Sequence, residues 1–274
     1  MSLRPEEIDL YRRRWREGRR RFRLVDPLSE DFGTGGLARH APEVHVRFLV
    51  LPCDPAAAAV QFDQDFWAWW MQDRPNPFEG ASPTSWGREG LPEATAAVRC
   101  ERWADDRWNW SGYLALHRSG GLEFGLGRLG SARWRRGQEE DETHVFFLTT
   151  IVGRVWVALS LFAEVLERVA IEGPWEISLA LRDTEQAVIG NVAAGWAEPE
   201  RAFPLEEPPR CTDPNVLIVR EVQEWPDPDG RQMLAFDVGS NIEDAFGVRE
   251  RRFLGRIDPI AGMFDPSRYR SGLT

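Results

Sequence analysis

The chain of 274 residues contains no lysine, so all 34 of its cationic side chains are arginine. This absence excludes several large classes of enzyme. A Walker phosphate loop and a protein kinase each need a lysine on the phosphates, and Schiff-base enzymes need an amine that condenses with a carbonyl. Arginine cannot substitute, because its guanidinium group stays protonated, is not a nucleophile and binds oxyanions as a planar fork. No decisive catalytic signature remains.

Cysteine and histidine are also scarce. Three cysteines, Cys53, Cys100 and Cys211, are widely spaced and form no C-x-x-C pair, which favours free thiols in a reducing cytosol. The four histidines form no H-x-x-x-H pattern and no His-Cys pair, so the sequence predicts no zinc site and we expect neither a metal nor a cofactor. His45 and His117 fit half-buried strand positions.

No apolar stretch near the N-terminus resembles the core of a signal peptide, and we expect a cytoplasmic protein. The longest apolar segment, residues 145–163, has the length of a membrane span, but Arg154 lies at its centre, where insertion costs about 2.5–3.5 kcal/mol. We therefore interpret it as a core helix and expect no membrane partner. Exclusive use of arginine, together with abundant Ala, Gly and Pro, indicates a GC-rich bacterial genome.

The net charge of −10 is distributed unevenly. Residues 1–24 hold nine arginines against four acidic residues, a net charge of +5, which leaves −15 for the remainder. Pro5, Glu6 and Glu7 suit the first turn of a helix, so this segment is expected to form a basic helical arm. The candidate nucleic-acid-binding residues of this arm are Arg12, Arg13, Arg16, Arg19, Arg20 and Arg23.

A second interpretation of the arm needs no nucleic acid. Leu10, Trp15 and Phe22 could dock the helix on the acidic body while its arginines remain solvated. We favour this interpretation, because a cluster of charge does not by itself read nucleic acid.

Hydrophobic periodicity predicts an α+β fold, with a mainly antiparallel sheet packed by one long buried helix and additional N-terminal helices. Residues 44–50 alternate as a strand, and Asp54 is expected to cap a helix that runs to Gln72. Residues 113–118 and 122–126 flank the turn Ser119-Gly120-Gly121 and therefore predict a hairpin.

The second half of the chain contains the long helix, which is predicted over residues 143–170. Residues 175–182 predict a half-buried strand, and 216–219 a shorter and more fully buried one. Residues 231–248 are ambiguous, with a helix favoured. The Pro-rich, Gly-rich and Ser-rich stretch 73–92 is expected to form a long loop and an internal boundary. The predicted division is a basic helical arm and linker at 1–36, a strand-helix segment at 37–92, and an α+β core domain at 93–274.

Two fragments resemble known sites. Residues 125–130 match the dinucleotide-binding pattern G-x-G-x-x-G, but the strand before them is a hairpin arm and no helix is expected directly after them. Gly125 and Gly127 more simply relieve crowding on one face of a sheet or form a bulge. Asp213 and Glu221 could together hold a magnesium ion, as in metal-dependent nucleases, although the third position is Gln223 where those enzymes carry a lysine.

Thirteen tryptophans make the chain unusually rich in indole. We expect Trp67 and Trp70 to be buried, and Trp108 and Trp110 to be partly open because they lie in a polar turn. Arginines beside such rings could bind a ligand. The resulting candidate binding residues are Trp108, Trp110, Arg107, Arg118 and Arg128.

Part of the chain, about residues 112–246, resembles a known family. The similarity lies in the segment GYLALHRSGGLEF at 112–124, in LFAEVLER at 161–168, and in Gly173-Pro174 followed by ISLALR. These segments resemble the C-terminal region of bacterial proteins whose N-terminal part is a Schlafen-like, AlbA-type domain of ATP-binding or transcriptional-regulator type. The resemblance implies a sensing or interaction module and identifies no catalytic residue.

Three functional hypotheses follow. We expect a protein that is not an enzyme but a binding, sensing or assembly module of the bacterial cytosol, with a protein partner or a second copy of itself. The alternatives are a nucleic-acid-associated protein that uses the basic arm, and a metal-dependent hydrolase that uses Asp213 and Glu221.

Overall fold

The computed structural model describes residues 44–52, 60–72, 74–75, 83–84, 89–92, 96–102, 110–127, 130–135, 142–169, 171–190 and 209–248. The strands in chain order are β1 (Val46–Pro52), β2 (Arg74–Pro75), β3 (Pro83–Thr84), β4 (Glu89–Pro92), β5 (Ala96–Arg102), β6 (Trp110–His117), β7 (Leu122–Leu126), β8 (Ser131–Arg135), β9 (Glu142–Phe147), β10 (Trp175–Arg182), β11 (Val188–Gly190) and β12 (Asn215–Val222). The helices are α1 (Gln64–Trp70), α2 (Leu148–Arg168) and α3 (Pro228–Ala245).

Seven of these strands form one sheet in the order β12-β10-β1-β7-β6-β5-β4, and every neighbouring pair is antiparallel. A smaller sheet has the order β11-β9-β8, in which β11 is parallel to β9. The protein therefore has the α+β fold that the sequence predicts. The segments 37–92 and 93–274 share the large sheet, since β1 lies at its centre between β7 and β10.

One face of the large sheet forms the core. Phe48 at the centre of β1 lies opposite Phe124 on one side and Leu179 on the other, and all three are buried. The rings of Phe48 and Phe124 stack with centroids 5.0 Å apart. Helix α2 packs against β7 and α3, and Ile151 and Phe162 join the same core cluster.

Helix α2 begins at Leu148, five residues later than predicted, because residues 142–147 form strand β9. The apolar spacing that predicts a helix there also fits a strand that is buried on both faces. By length and composition α2 could cross a membrane, but most of it is buried in the core. It is therefore placed as the core helix that the sequence predicts.

Helix α1 begins at Gln64 and not at Asp54. Its N-cap is Asp63, whose side chain accepts a hydrogen bond of 2.7 Å from the backbone of Phe66. Residues 60–62 are not helical, and Val60 is tied to the hairpin because its N–H donates to the carbonyl of Arg118 at 2.9 Å. Residues 53–59, where the helix was predicted to start, lie outside the described residues.

The hairpin and the last helix agree with prediction. Strands β6 and β7 pair around Gly120, which has a φ of 90° that only glycine adopts easily. Helix α3 has Asp227 as its N-cap and Pro228 at its start, which settles the ambiguous segment 231–248 as helical.

Two predictions on strands were wrong. Strand β12 is longer than 216–219 and is only half-buried along much of its length, because it lies at the edge of the sheet and not inside it. The stretch 73–92 is not a loop throughout, since it contains β2, β3 and β4, and β4 pairs with β5. Short strands with proline and glycine have little periodicity to reveal them.

Candidate binding site

A polar pocket lies where β10 ends and β12 begins, beside the small sheet. Its volume is about 340 Å³, within the range of small-molecule sites. Its charged lining residues are Arg133, Asp183, Glu185 and Arg210, and its other lining residues are His144, Gln186, Pro214 and Asn215.

Two histidines converge on Asp183 at this pocket. Nδ1 of His45 lies 3.1 Å from the Asp183 carboxylate, and Nδ1 of His144 lies 3.1 Å from the Asp183 carbonyl oxygen. The two imidazole rings pack edge to face, with centroids 4.6 Å apart. Strand pairing produces this arrangement, because His45 precedes β1 and hydrogen-bonds through its carbonyl to Arg182, the residue before Asp183.

The hydrogen bonds fix which nitrogen of each imidazole carries the proton. The carboxylate of Asp183 and its backbone carbonyl both accept hydrogen bonds. Nδ1 is therefore the donor in His45, which meets the carboxylate, and in His144, which meets the carbonyl. In the neutral state the Nε2 atom of each ring then bears a lone pair. His144 lines the pocket, and Nε2 is the nitrogen of its neutral ring that can accept a hydrogen bond.

Both histidines are shifted towards the neutral state. Burial, followed by the neighbouring His45, lowers the pKa of His144 to about 4. Burial also lowers the pKa of His45, although the Asp183 carboxylate acts in the opposite direction. Near pH 7 His144 is therefore neutral, and it is a weak base.

The loop after β10 is held in a constrained conformation. Asp183 has a φ of 57° and Gln186 a φ of 60°, values that cost a residue with a side chain about 1 kcal/mol or more. Several bonds offset this cost. The Thr184 hydroxyl donates to the Asp213 carbonyl at 2.6 Å, and the Gln186 backbone N–H donates to the Cys211 carbonyl at 2.8 Å. The chain before β12 thus braces the loop that carries the pocket residues.

Two arginines line the pocket without a carboxylate partner. Arg133 lies directly opposite His144 in the pairing of β8 with β9, and its side chain is exposed. Arg210 donates from Nη1 to the Gln186 carbonyl at 3.1 Å. Among the described residues, neither guanidinium forms an ion pair with an acidic side chain. Both cations can therefore bind an anion.

Of the five candidate binding residues predicted from the sequence, Arg118 has a described side chain, and it does not line this pocket. Arg118 lies at the end of the hairpin, where Nη1 donates to the Val60 carbonyl at 3.2 Å and the guanidinium covers the Phe62 ring at 4.3 Å. It therefore holds the chain before α1. Trp110 is the first residue of β6, and its side chain is outside the described part of the structure. Arg107, Trp108 and Arg128 lie outside the described residues, as do the six arginines of the arm.

The expected burial of the tryptophans is met in part. Trp70 is fully buried and Trp69 is buried, whereas Trp67 is only half-buried. Trp69 also donates from Nε1 to the Glu164 carboxylate at 2.7 Å, which ties α1 to α2.

The metal-dependent hydrolase hypothesis is wrong for its two named carboxylates. Asp213 precedes β12 and Glu221 lies near its far end, so the strand separates them by about 20 Å. One ion cannot bind both. Among the described residues no group of three or more His, Cys, Asp or Glu is arranged to hold a metal ion.

Gly125, in the G-x-G-x-x-G match, has the structural role that the sequence indicates. Gly125 lies opposite Tyr113, whose ring occupies the space of a Cβ atom at position 125. Gly130 is similarly crowded by Val46 and Leu126.

A buried polar cluster lies on the face of the large sheet opposite to that of Phe48 and Phe124. The Tyr113 hydroxyl donates to the Glu123 carboxylate at 2.9 Å, and Nε2 of His117 lies 3.5 Å from the second carboxylate oxygen. Both ends of the His117–Glu123 pair are 1% exposed. His117 is therefore fully buried, not half-buried as predicted.

Sequence reasoning missed every residue of the pocket. His45, His144 and Asp183 are distant along the chain, and no short motif contains two of them. The one available signal was that His45 lies at the start of the predicted strand 44–50 and Asp183 directly follows the predicted strand 175–182, which placed both at strand ends. Comparison of the chain with protein-family models, with curated proteins and with solved structures finds no match in any of the three.

Proposed function

We propose that the chain is a non-enzymatic binding module of the bacterial cytosol. Its ligand is a small molecule that carries a phosphate or carboxylate together with hydroxyl or amine donors. The observation that carries this proposal is the pair of arginines, Arg133 and Arg210, which line the pocket and have no acidic partner within the described part of the chain.

The two arginines support an anionic group on the ligand. A guanidinium binds phosphate or carboxylate through parallel hydrogen bonds, and such charge-assisted bonds are the strong ones in proteins. An exposed cation without an acidic partner keeps this capacity. The two side chains reach the pocket from different elements, since Arg133 lies on β8 and Arg210 precedes β12.

The other lining residues support donor groups on the same ligand. Asp183 and Glu185 are acidic, and His144 presents an unprotonated Nε2. The negative charges of Asp183 and Glu185 would repel a simple anion. A hydroxylated or amine-bearing anion satisfies both sets of residues, because its donors face the carboxylates and the imidazole while its anionic group faces the arginines.

The chemistry of the lining favours binding over turnover. A general base acts best when its pKa is close to the working pH, whereas burial lowers the pKa of His144 to about 4. The lining residues that the structure describes include no serine, cysteine, threonine or tyrosine that could act as a nucleophile. The nearby Cys211 thiol is buried and directed at the carbonyls of Asp213 and Ala245.

Isothermal titration with matched ligands tests the proposal. We expect ribose 5-phosphate or gluconate to bind, and neutral ribose to bind much more weakly. Arg133→Gln and Arg210→Gln should each weaken binding about tenfold or more, because a hydrogen bond to a charged group contributes about 1.5–3 kcal/mol. Arg168→Gln is the matched control, since Arg168 is exposed on α2 and covers the Trp69 ring.

Two outcomes would contradict the proposal. The first is equal binding of ribose and its phosphate, or no binding of either anion at millimolar concentration. The second is an affinity that none of the pocket substitutions changes.

The alternative of nucleic-acid binding rests on the nine arginines of residues 1–24. If the arm binds DNA or RNA, the affinity must fall steeply with salt and disappear when residues 1–24 are deleted. Binding that survives this deletion would exclude the arm.

A further inference from the structure

The two edges of the large sheet differ in how they resist pairing with another strand. At one edge, β4 has only four residues and contains Gly90 and Pro92. At the other edge, β12 has eight residues, NVLIVREV, with neither glycine nor proline. Natural proteins keep edge strands short or place proline and charge on them, because an open edge pairs with any available strand. The β4 edge is short and contains proline, whereas β12 carries charge only at Arg220, which is bonded to Asp237, and at Glu221.

The register shows which backbone groups of β12 point outward. The N–H of Arg182 donates to the His45 carbonyl, so the even-numbered residues of β10 bond towards β1. The odd-numbered residues of β10 therefore bond towards β12, where they lie opposite its even-numbered residues. Consequently Leu217, Val219 and Glu221 direct their N–H and C=O groups away from the sheet.

These outward groups are available for pairing. The Val219 carbonyl accepts a hydrogen bond of 2.9 Å from Nη1 of Arg220. Within the described part of the chain, the other outward backbone groups of Leu217, Val219 and Glu221 have no hydrogen-bond partner. No strand of that part lies beyond β12.

The side chains of β12 are apolar from Val216 to Val219, and the polar residues Asn215, Arg220 and Glu221 flank this stretch. Val216 and Ile218 are buried on the core face, whereas Leu217 and Val219 are half-exposed on the opposite face. An apolar surface of this kind at an open edge favours a partner strand that is apolar at the same positions.

We propose that β12 pairs antiparallel with β12 of a second copy of this chain, about a two-fold axis that passes Ile218. In this register Leu217 lies opposite the partner subunit's Val219, and Asn215 lies opposite the partner subunit's Glu221. Every outward residue then meets an outward residue, which is the condition for a hydrogen-bonded antiparallel pair. One continuous sheet crosses both copies.

Self-complementarity selects a second copy as the occupant and selects this register. A two-fold axis at Arg220 would place two guanidinium groups opposite each other, which is destabilising. An axis at Val219 would place Leu217 opposite the partner subunit's Glu221. The axis at Ile218 pairs Leu217 with Val219 and Asn215 with Glu221, and its one apolar-polar pair is Val216 with Arg220. An axis at Leu217 would pair only residues 215–219, so the axis at Ile218 combines the longer pairing with the fewest mismatched pairs.

Light scattering on the full chain tests the proposal. As the protein concentration rises, we expect the measured mass to increase from that of one 31.4 kDa chain to twice that value. Leu217→Lys should raise the dissociation constant of the dimer at least about tenfold, because each dimer loses two apolar cross-strand pairs. Gln61→Lys adds the same charge at an exposed position before α1 and should leave the dimer unchanged. Circular dichroism and the Tm confirm that both variants are folded.

Hydrogen exchange on the unmodified protein gives a second test that does not depend on a variant. The amides of Val216 and Ile218 bond to β10 and should be protected at every concentration. The amides of Leu217 and Val219 should exchange fast in dilute protein and slowly in concentrated protein. A strict monomer, or a dimer in which those two amides still exchange fast, would overturn the proposal.

Discussion

The ring of Tyr113 on β6 covers Gly125 on β7, in the space that a Cβ atom at position 125 would occupy. The Tyr113 hydroxyl donates to Glu123, two residues earlier on the same strand as Gly125. One glycine thus makes room for a ring that in turn satisfies a buried carboxylate.

Gly125→Ala should lower the free energy of unfolding by about 1–3 kcal/mol, the usual cost of overpacking a buried site. The added methyl group would overlap Cε1 of Tyr113, which cannot move far because its hydroxyl is bonded to Glu123. Chemical denaturation followed by circular dichroism measures the change.

A double-mutant cycle identifies the ring as the cause. In a Tyr113→Leu background the cost of Gly125→Ala should be much smaller, since the aromatic atoms that crowd position 125 are absent. An equal cost in both backgrounds would show that the ring is not responsible.

Arg99 should be a major contributor to stability. It is 1% exposed, and Nη1 donates to the carbonyls of Trp70 and Gln72 at 3.0 and 2.9 Å, which ties the end of α1 to β5. Arg99→Met leaves these acceptors without their donor, so we expect a loss of about 2–4 kcal/mol in the free energy of unfolding. The exposed Arg118, replaced by Met, should cost about 1 kcal/mol or less. Similar losses for the two variants would contradict this assignment.

The two histidines at the pocket should make stability depend on pH. Because the pKa of His144 is about 4 in the folded protein and about 6.5 when unfolded, protons bind the unfolded chain preferentially between these values. The contribution of His144 to the free energy of unfolding is therefore fully present above pH 6.5 and is lost as the pH decreases to 4. After allowance for solvent screening, we expect a loss of about 2 kcal/mol.

His144→Asn provides the comparison for this pH effect, because its amide can keep the donor to the Asp183 carbonyl. The variant should lose less stability between pH 6.5 and 4.5 than the unmodified protein. Parallel curves for the two proteins would show that His144 does not titrate in this window.

Cys211 should react slowly with iodoacetamide in the folded protein. Its side chain is completely buried, and burial raises the pKa of the thiol, so little thiolate is present near pH 7. Peptide mass spectrometry should find Cys211 unmodified under native conditions and alkylated in denaturant. Rapid native alkylation would show that the chain around Cys211 opens readily.

Local patterns in the sequence were reliable where a single element determines its own structure. The hairpin around Gly120, the strand Trp175–Arg182 and the helix Pro228–Ala245 each follow from periodicity and turn or cap residues that lie within a few positions. The start of α1 was missed because the decisive contact, between Val60 and Arg118, comes from a distant hairpin. The strand at 142–147 was missed because a buried strand and a buried helix have the same apolar composition.

The sequence by itself determined the α+β class, the exclusion of lysine-dependent chemistry and the apolar character of the central helix, since each depends on residue types and short-range spacing. Only the tertiary structure decided that His45 and His144 meet at Asp183, that Arg133 and Arg210 share a pocket, and that β12 is an edge. Strand order and register bring distant residues together, and they depend on how separate apolar faces combine, which no local pattern specifies.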